Sequence, residues 1–282
     1  KTITAAAAIE EARLSSKSML KQVGRNHTLY KFQLVEELKD YRELTLEEAY
    51  ARSINPVFAR IGIYQLKPGA LVEYGKRFGF DQKIPFELPV EIGSVQSPDS
   101  MLAVAELASG FNRETTLSPL LGALIASGVS EGGRMPVPIL VDSVMRGDSC
   151  IYKASEKTWR TPVKESTSAE LRELMSSVSR YGTARKSFNY IRQTSSLKDF
   201  QYGGKTGSVN KDDLGKIDWF IGFARNPSNP QERVAAGVVT IHGEYWTVHS
   251  SFIAAELFRN YLRKLQKDKE RQENEKVTVS ID

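Results

Sequence analysis

The apolar and small residues at the start of the chain predict a helix that lies deep in the fold. Residues 1–14 are rich in alanine, and such a helix can pack closely against its neighbours. Thr45 and Glu48 have the spacing of a capping box, which predicts the start of a second helix. Asn55 and Pro56 predict that a further helix begins soon afterwards, because proline is well tolerated at the first helical position.

The middle of the chain contains many turn-forming residues. Residues 68–100 are rich in glycine and proline and predict mainly turns, and residues 130–165 predict irregular structure or short strands. Between these two segments, Ser118 and Pro119 predict the start of a helix, and Gly128 predicts its end.

The last third of the chain combines a helix, three strands and a long final helix. Thr167 and Glu170 repeat the capping-box spacing and predict a helix that ends at Gly182. Three apolar segments then have the composition of strands, and a turn-rich stretch between the last two favours antiparallel pairing. These strands are predicted at residues 200–209, 217–224 and 234–241, before a helix from 247 to about 271.

This pattern predicts an α/β protein of the α+β type, with an antiparallel sheet flanked by helices beside an all-helical region. We predict one domain over residues 1–272, followed by a polar tail at residues 273–282. Within the domain, the helical region is predicted at about residues 28–140. The sheet region is predicted to combine residues 1–27 and 160–272.

Composition narrows the possible chemistry. The 282 residues carry a net charge of +5, and the basic residues are scattered, which argues against nucleic acid binding. No run of about 18 apolar residues predicts a membrane span. The single cysteine and the three histidines lack the spacing of a metal site, so we predict no metal. They are Cys150, His27, His242 and His249.

The sharpest candidate for chemistry is the segment 203–208, which reads Gly-Gly-Lys-Thr-Gly-Ser. Lys205, with the hydroxyl groups of Thr206 and Ser208, could hold a carboxylate by charge and hydrogen bonds. Gly207 would let an extended peptide approach the strand closely. The alternative interpretation is a glycine-rich turn with an exposed lysine.

A second candidate is the segment Ser53-Ile54-Asn55, at the break between two predicted helices. Ser53 could relay a proton and Asn55 could hold an amide, provided that both side chains face one cleft. The alternative is structural, because asparagine is a favourable N-cap for a helix that begins at Pro56.

Three motifs in this order resemble those of the penicillin-binding proteins and serine β-lactamases, namely S-x-x-K, S-x-N and K-T-G. Lys1 stands at the lysine of the first motif, Ser53 to Asn55 at the second, and Lys205 to Gly207 at the third. Further segments resemble landmarks of the same family. These segments are residues 46–59, 78–80, 117–120, 182–184 and 218–223. The resemblance extends over about residues 1–262 and is strongest to the class B type.

The nucleophilic serine of S-x-x-K is expected three residues before Lys1, so we expect this chain to lack it. Ser18 and Lys21 also fit the S-x-x-K spacing, but they would lie at the far end of the first helix. The family places its serine at a helix N-terminus, where free N–H groups and the helix dipole assist. The first two strands of the family sheet are also expected to be missing, which predicts an exposed sheet edge at residues 234–241.

The resemblance implies a peptidoglycan D,D-transpeptidase, which transfers an acyl group from D-alanyl-D-alanine stem peptides through a serine acyl-enzyme. Lys1 would take the proton of the serine, and Ser53 would pass a proton to the departing D-alanine. Asn55 would position the peptide, and the resemblance implies that no metal or other cofactor is needed. Lys205 and Thr206 would hold the terminal carboxylate, while the backbone N–H of Ser208 would help to form the oxyanion hole.

The resemblance also implies partners and a location. The expected partners are peptidoglycan stem peptides, β-lactam antibiotics and other proteins of cell-wall synthesis. We expect a membrane anchor ahead of this chain and a place in the bacterial cell envelope, on the periplasmic or extracytoplasmic side of the inner membrane.

Two alternative functions stay open at the level of sequence. One is a catalytically inactive homologue that binds peptidoglycan or senses β-lactams, for which the residue three before Lys1 is decisive. The other is a serine β-lactamase. Class A enzymes use an E-x-x-x-N pattern for deacylation, and here Glu91 is followed by Val95 instead.

Overall fold

The computed structural model describes residues 1–211, 215–243 and 245–279. The α-helices in these ranges are α1 (Thr2–Glu11), α2 (Leu46–Ala51), α3 (Asn55–Tyr64), α4 (Ala70–Arg77), α5 (Met101–Ser109), α6 (Pro119–Ser130), α7 (Glu165–Arg180), α8 (Arg185–Arg192) and α9 (Ser250–Val279). The strands are β1 (Met19–Gln22), β2 (Arg42–Thr45), β3 (Met135–Pro136), β4 (Ser143–Arg146), β5 (Ser149–Lys153), β6 (Thr158–Arg160), β7 (Gln201–Lys211), β8 (Gly215–Asn226) and β9 (Asn229–His242). Mixed helices and antiparallel sheets confirm the predicted fold class.

The main sheet is antiparallel, in the order β7-β8-β9, and carries helices on both faces. Ile221 of β8 packs against Gly122 of α6. The neighbouring Phe220 packs against Phe188 of α8, which in turn contacts Phe258 of α9. Because successive strand residues point to opposite faces, α6 lies on one face of the sheet and α8 and α9 lie on the other.

The three predicted strands are confirmed, and each is longer than its predicted range. Within the described residues β9 pairs with β8 alone, so the predicted sheet edge is confirmed for that part of the chain. Val238 lies opposite Phe220 and Thr240 lies opposite Asp218. The outer edge of β9 therefore presents the unpaired groups expected of an edge strand.

The alanine-rich helix is confirmed as α1, and it packs against α3, α4 and α7. Ala5, Ala6, Ala7 and Ala8 are all completely buried. Small side chains allow neighbouring helices to approach on every side. The position of Lys1, directly before this helix, is thereby fixed at the centre of the molecule.

Several predicted helix limits are wrong, and packing explains one of them. Residues 68–100 contain the helix α4, which begins after Gly69 and was predicted as turns. The helix α6 continues past Gly128 to Ser130. A Cβ at Gly128 would lie 2.6 Å from the side chain of Met135, so this glycine permits close packing and does not end the helix.

The second capping box is also wrong, because α7 begins at Glu165 and Thr167 lies inside it. The Thr167 hydroxyl donates to Glu10, and the Glu170 carboxylate accepts from the backbone N–H of Ser16. Tertiary contacts therefore use both side chains. The first capping box is correct at its N-cap, because Thr45 accepts from the backbone N–H at position 48.

The final helix differs from its prediction at both ends. It begins at Ser250 and continues to Val279, through most of the segment 273–282 that was predicted to be a polar tail. The division into a helical region and a sheet region stays a prediction.

In the described ranges, no helix has both the length and the apolar content needed to cross a bilayer.

Candidate active site

A cleft of about 660 Å³ lies between the start of α1, the α2–α3 turn, the end of α5 and the strands β7 and β8. Lys1, Ser53, Asn55 and Lys205 all line it. The sequence places these four residues far apart, and the fold brings them to one surface. The geometric requirement for a shared function is therefore met.

Ser53 lies in the turn between α2 and α3, in a left-handed backbone conformation with φ of 55°. Such a conformation is uncommon for a residue with a side chain and persists only where the surroundings impose it. The backbone N–H of Asn55 donates to the carbonyl of Asn26 at 2.6 Å, and that of Ile54 donates to Ala49 at 2.9 Å. These bonds hold the strained turn from both sides.

Asn55 does not act as an N-cap. The N-cap of α3 is Ile54, and Asn55 lies in the first turn of the helix. Its buried side chain instead accepts a hydrogen bond from Lys1, with 2.7 Å between Oδ1 and Nζ. The structural interpretation of Asn55 is therefore wrong, and its side chain belongs to the cleft.

Lys1 donates from Nζ to two acceptors that come from different segments. They are the side-chain oxygen of Asn55 and the backbone carbonyl of Ser109, at the C-terminal end of α5. Burial, and secondly the positive charge of Lys205, hold the pKa of the Lys1 side chain well below its ordinary value. A lysine in this state can be neutral, and a neutral amine is a base.

Lys205 is buried on β7, so the alternative of an exposed lysine in a turn is wrong. Its Nζ donates to the Ser53 hydroxyl at 3.0 Å and to the Thr206 carbonyl at 2.9 Å. Burial lowers the pKa of Lys205 from 10.5 to about 7. The lysine thus connects the strand to the strained turn.

The glycines of the same strand serve two different purposes. A Cβ at Gly203 or Gly204 would overlap the rings of Phe223 and Phe220, so these glycines allow aromatic packing. A Cβ at Gly207 would meet only Trp219, at the ordinary distance of 3.7 Å. A methyl group at Gly207 would therefore fit without overlap, and this glycine lines the cleft.

The two hydroxyl groups after Lys205 are both hydrogen bonded. Thr206 bonds to the hydroxyl of Thr183 at 2.6 Å. Ser208 donates to Asp218 at 3.1 Å, and these two residues lie opposite each other in the register of β7 and β8.

Sequence reasoning missed Ser109, Asp218 and His27 as members of the cleft. His27 lines the cleft, and burial, followed by the charge of Lys1, lowers the pKa of its ring. No sequence pattern points to His27, because it lies in a long connection. Asp218 could have been found, because a hairpin register of two strands places it opposite Ser208.

Ser18 does not occupy a helix N-terminus. It precedes β1, and its hydroxyl accepts from the backbone N–H of Ser15 at 2.9 Å. Lys21 lies on that strand, with its Nζ 4.2 Å from the ring centre of Tyr41. The S-x-x-K spacing of this pair therefore has no helix to present it.

The described residues hold no group of three or more His, Cys, Asp or Glu side chains that could bind a metal ion.

Comparison with known proteins identifies related domains along most of the chain. The family model of the penicillin binding protein transpeptidase domain matches residues 1–263. Stage V sporulation protein D from Bacillus subtilis (strain 168) is 29% identical over 191 residues, which is 64% of this chain and 28% of that protein. The peptidoglycan D,D-transpeptidase PbpA of Mycolicibacterium smegmatis is 24% identical over 222 residues, which is 77% of this chain and 43% of that protein. The chain thus spans less than half the length of these relatives.

Solved structures share the fold. The imipenem acyl-enzyme complex of penicillin-binding protein A from M. tuberculosis matches with a TM-score of 0.69 and 23% identity, over 91% of this chain and 58% of that chain. The D,D-transpeptidase domain of a peptidoglycan glycosyltransferase from Eggerthella lenta matches with a TM-score of 0.71 and 22% identity, over 94% of this chain and 64% of that chain. Because the family model matches nearly the whole length of this chain, the chain belongs to the penicillin-binding protein transpeptidase domain family.

Proposed function

We propose that this domain carries out peptidoglycan D,D-transpeptidation and is acylated by penicillin. The hydrogen bonds of Lys1 carry the proposal. A neutral amine has two hydrogens, and Lys1 donates to Asn55 and to the Ser109 carbonyl. Its lone pair is then free to take a proton from a nearby hydroxyl, as a general base requires.

The hydroxyl that reacts is proposed to belong to a serine three residues before Lys1. Residues three apart lie on the same side of a helix, so this serine would be next to the Lys1 side chain. Its oxygen attacks the carbonyl of the D-alanyl-D-alanine bond while Lys1 takes its proton. The backbone N–H groups of that serine and of Ser208 are proposed to stabilise the resulting oxyanion.

Ser53 is proposed to return the proton to the leaving group. Because Lys205 donates to the Ser53 oxygen, the hydroxyl hydrogen of Ser53 can be directed to the departing nitrogen. The C–N bond breaks, D-alanine leaves with this proton, and Ser53 is reprotonated from Lys1. An amine from a neighbouring stem peptide then attacks the acyl-enzyme, forms the new amide and releases the serine.

Substrate binding is assigned to the open edge of β7. Lys205 in its charged form and Thr206 are proposed to hold the terminal carboxylate, while Asn55 positions the peptide amide. Gly207 leaves room for the ligand backbone, because it lines the cleft and carries no side chain. The bacterial cell envelope is the location that fits this substrate. A membrane anchor ahead of Lys1 and partners from cell-wall synthesis remain part of the proposal.

Three of the four relatives reported above favour a transpeptidase over a β-lactamase, since they are a penicillin-binding protein and two D,D-transpeptidases. Glu91 is exposed on a loop and is followed by Val95 where the class A pattern has asparagine. An inactive homologue is distinguished by the residue three before Lys1, which must be serine for acylation.

The test is covalent labelling of the intact protein with a fluorescent penicillin, followed by mapping of the labelled peptide. The label is expected on the serine three before Lys1, and substitution of that serine by alanine should abolish it. Ser18→Ala is the matched control and should keep full labelling. A label on Ser18, or the absence of any label on the intact protein, would overturn the proposal.

A further inference from the structure

Asp218 is a buried carboxylate that the reaction described above does not use. It lies on β8, its side chain is 7% exposed, and it lines the cleft. One oxygen accepts from the Ser208 hydroxyl at 3.1 Å. The other accepts from the backbone N–H and the hydroxyl of Ser250, at 2.9 and 3.0 Å. Asp218 thus connects the ligand-binding strand to the start of α9.

His249 is the basic partner of this carboxylate. Its Nδ1 lies 3.4 Å from the second oxygen of Asp218, and its side chain is 60% exposed at the mouth of the cleft. The ring packs against Trp246, with 5.2 Å between ring centres, and Trp246 also packs against His242. The His249 carbonyl accepts from the backbone N–H of Phe252, which fixes the backbone at the start of α9.

This arrangement places a negative charge one hydroxyl group away from the proposed carboxylate site. Ser208 has a single hydroxyl hydrogen, and it points to Asp218. A ligand carboxylate bound at Thr206 would therefore lie close to another carboxylate, which is unfavourable unless a cation offsets it. The printed hydrogen bonds of Lys205 go to the Ser53 hydroxyl and the Thr206 carbonyl, so in the described residues the cation proposed to hold the ligand carboxylate is not a direct partner of Asp218.

We propose that Asp218 and His249 form a specificity-determining pair, in which the protonated form of His249 offsets the charge of Asp218 and so permits a carboxylate ligand to bind beside Ser208. The ligand class is the terminal carboxylate of a stem peptide or of a β-lactam. The inference rests on the proposed function, because it assumes that this strand binds an anionic acyl donor.

A control for general charge is available in the same cleft. Lys186 of α8 also lines the cleft. In the described part of the chain, Lys186 is not among the hydrogen-bond partners of Asp218. Removing Lys186 therefore takes a positive charge from the cleft without removing a direct partner of this carboxylate.

The experiment measures acylation rate constants of the intact protein with benzylpenicillin, which carries a carboxylate, and with its neutral methyl ester. Acylation of the unmodified protein is established first; its absence would contradict the proposed function and not this inference alone. His249→Gln is expected to reduce acylation by benzylpenicillin about 10-fold, and that by the ester less than about 2-fold. Adding Asp218→Asn to His249→Gln should restore the rate with benzylpenicillin to within about 3-fold of the unmodified protein.

Two further variants decide between charge and structure. His249→Lys places a permanent positive charge beside Asp218 and should stay within about 3-fold of the unmodified protein, which tests the inference even if Asp218→Asn fails to fold. Adding Asp218→Asn to Lys186→Gln should not raise the rate of acylation by benzylpenicillin as it does when it is added to His249→Gln. Equal losses with the acid and the ester in His249→Gln, or a loss in His249→Lys as large as in His249→Gln, would show that the pair only supports α9.

Discussion

The two walls of the cleft are built in different ways. Lys205 and its neighbours lie on a regular strand, and the register with β8 fixes their positions. Ser53 and Asn55 lie in a strained turn, which contacts Lys1, Asn26 and Lys205 from three separate segments. The strand wall depends on local pairing, whereas the turn wall depends on long-range contacts. Substitutions far from the chemistry should therefore disturb the turn more easily than the strand.

The largest expected effect comes from the turn wall, where Lys1 is held by Asn55. Lys1→Met in the intact protein should reduce penicillin acylation by about 10³-fold, because the proposed general base is removed. The measurement is the acylation rate under saturating and subsaturating penicillin. Lys21→Met, in the other S-x-x-K segment, is the matched control and should leave the rate within about 2-fold. An equal loss in both variants would contradict the assignment of Lys1.

The strand wall should determine the pH dependence at the alkaline side. Lys205 has a pKa of about 7 because of burial, so it loses its charge as the pH rises through that value. In the proposed mechanism an anionic penicillin binds to the charged form of Lys205, and acylation should therefore fall by up to about 10-fold per pH unit well above this pKa.

Acylation should also fall at low pH, where Lys1 becomes protonated, since the base must be neutral. The pH profile of the acylation rate constant measures both sides. The neutral methyl ester of benzylpenicillin should lack the alkaline decrease, since it does not need the charge of Lys205. If the acylation rate with the ester falls by the same amount at alkaline pH, the decrease does not arise from carboxylate binding by Lys205.

The smallest expected effect separates packing from ligand contact within the strand. Gly204→Ala should lower the free energy of unfolding by about 1–3 kcal/mol, because its methyl group would overlap Phe220. Gly207→Ala should change that free energy by less than about 0.5 kcal/mol and still reduce acylation. Thermal or denaturant unfolding, measured beside labelling, tests the pair. Equal destabilisation by both substitutions would show that Gly207 is a packing residue too.

The strand wall could be predicted from sequence to a large extent, because its information is local. The run Gly-Gly-Lys-Thr-Gly-Ser, a turn and two apolar segments are enough to place Lys205 on a hairpin. A glycine does not reveal its role in this way, however. Gly204 and Gly207 look alike in sequence, and only the positions of Phe220 and Trp219 distinguish them.

The turn wall could be predicted only through the order of motifs. The Ser109 carbonyl is a backbone group at the end of α5, a helix that the sequence pattern did not predict. Thr167 is a similar case, because its sequence pattern predicts an N-cap whereas its hydroxyl donates to Glu10 in the folded protein. Side chains that satisfy distant partners cannot be recognised from their neighbours in sequence.

The Ser109 carbonyl has a consequence for how the base can change charge. The helix α5 ends at Gly110, in a left-handed conformation with φ of 66°, and its last carbonyls include the one that accepts from Lys1. The C-terminal end of a helix carries partial negative charge, which stabilises a cation. This electrostatic preorganisation favours Lys1 at the moment when it gains a proton. If Lys1 is the base as proposed, the length of α5 affects the reaction, because deletion of one residue would rotate the Ser109 carbonyl by about 100° around the helix axis.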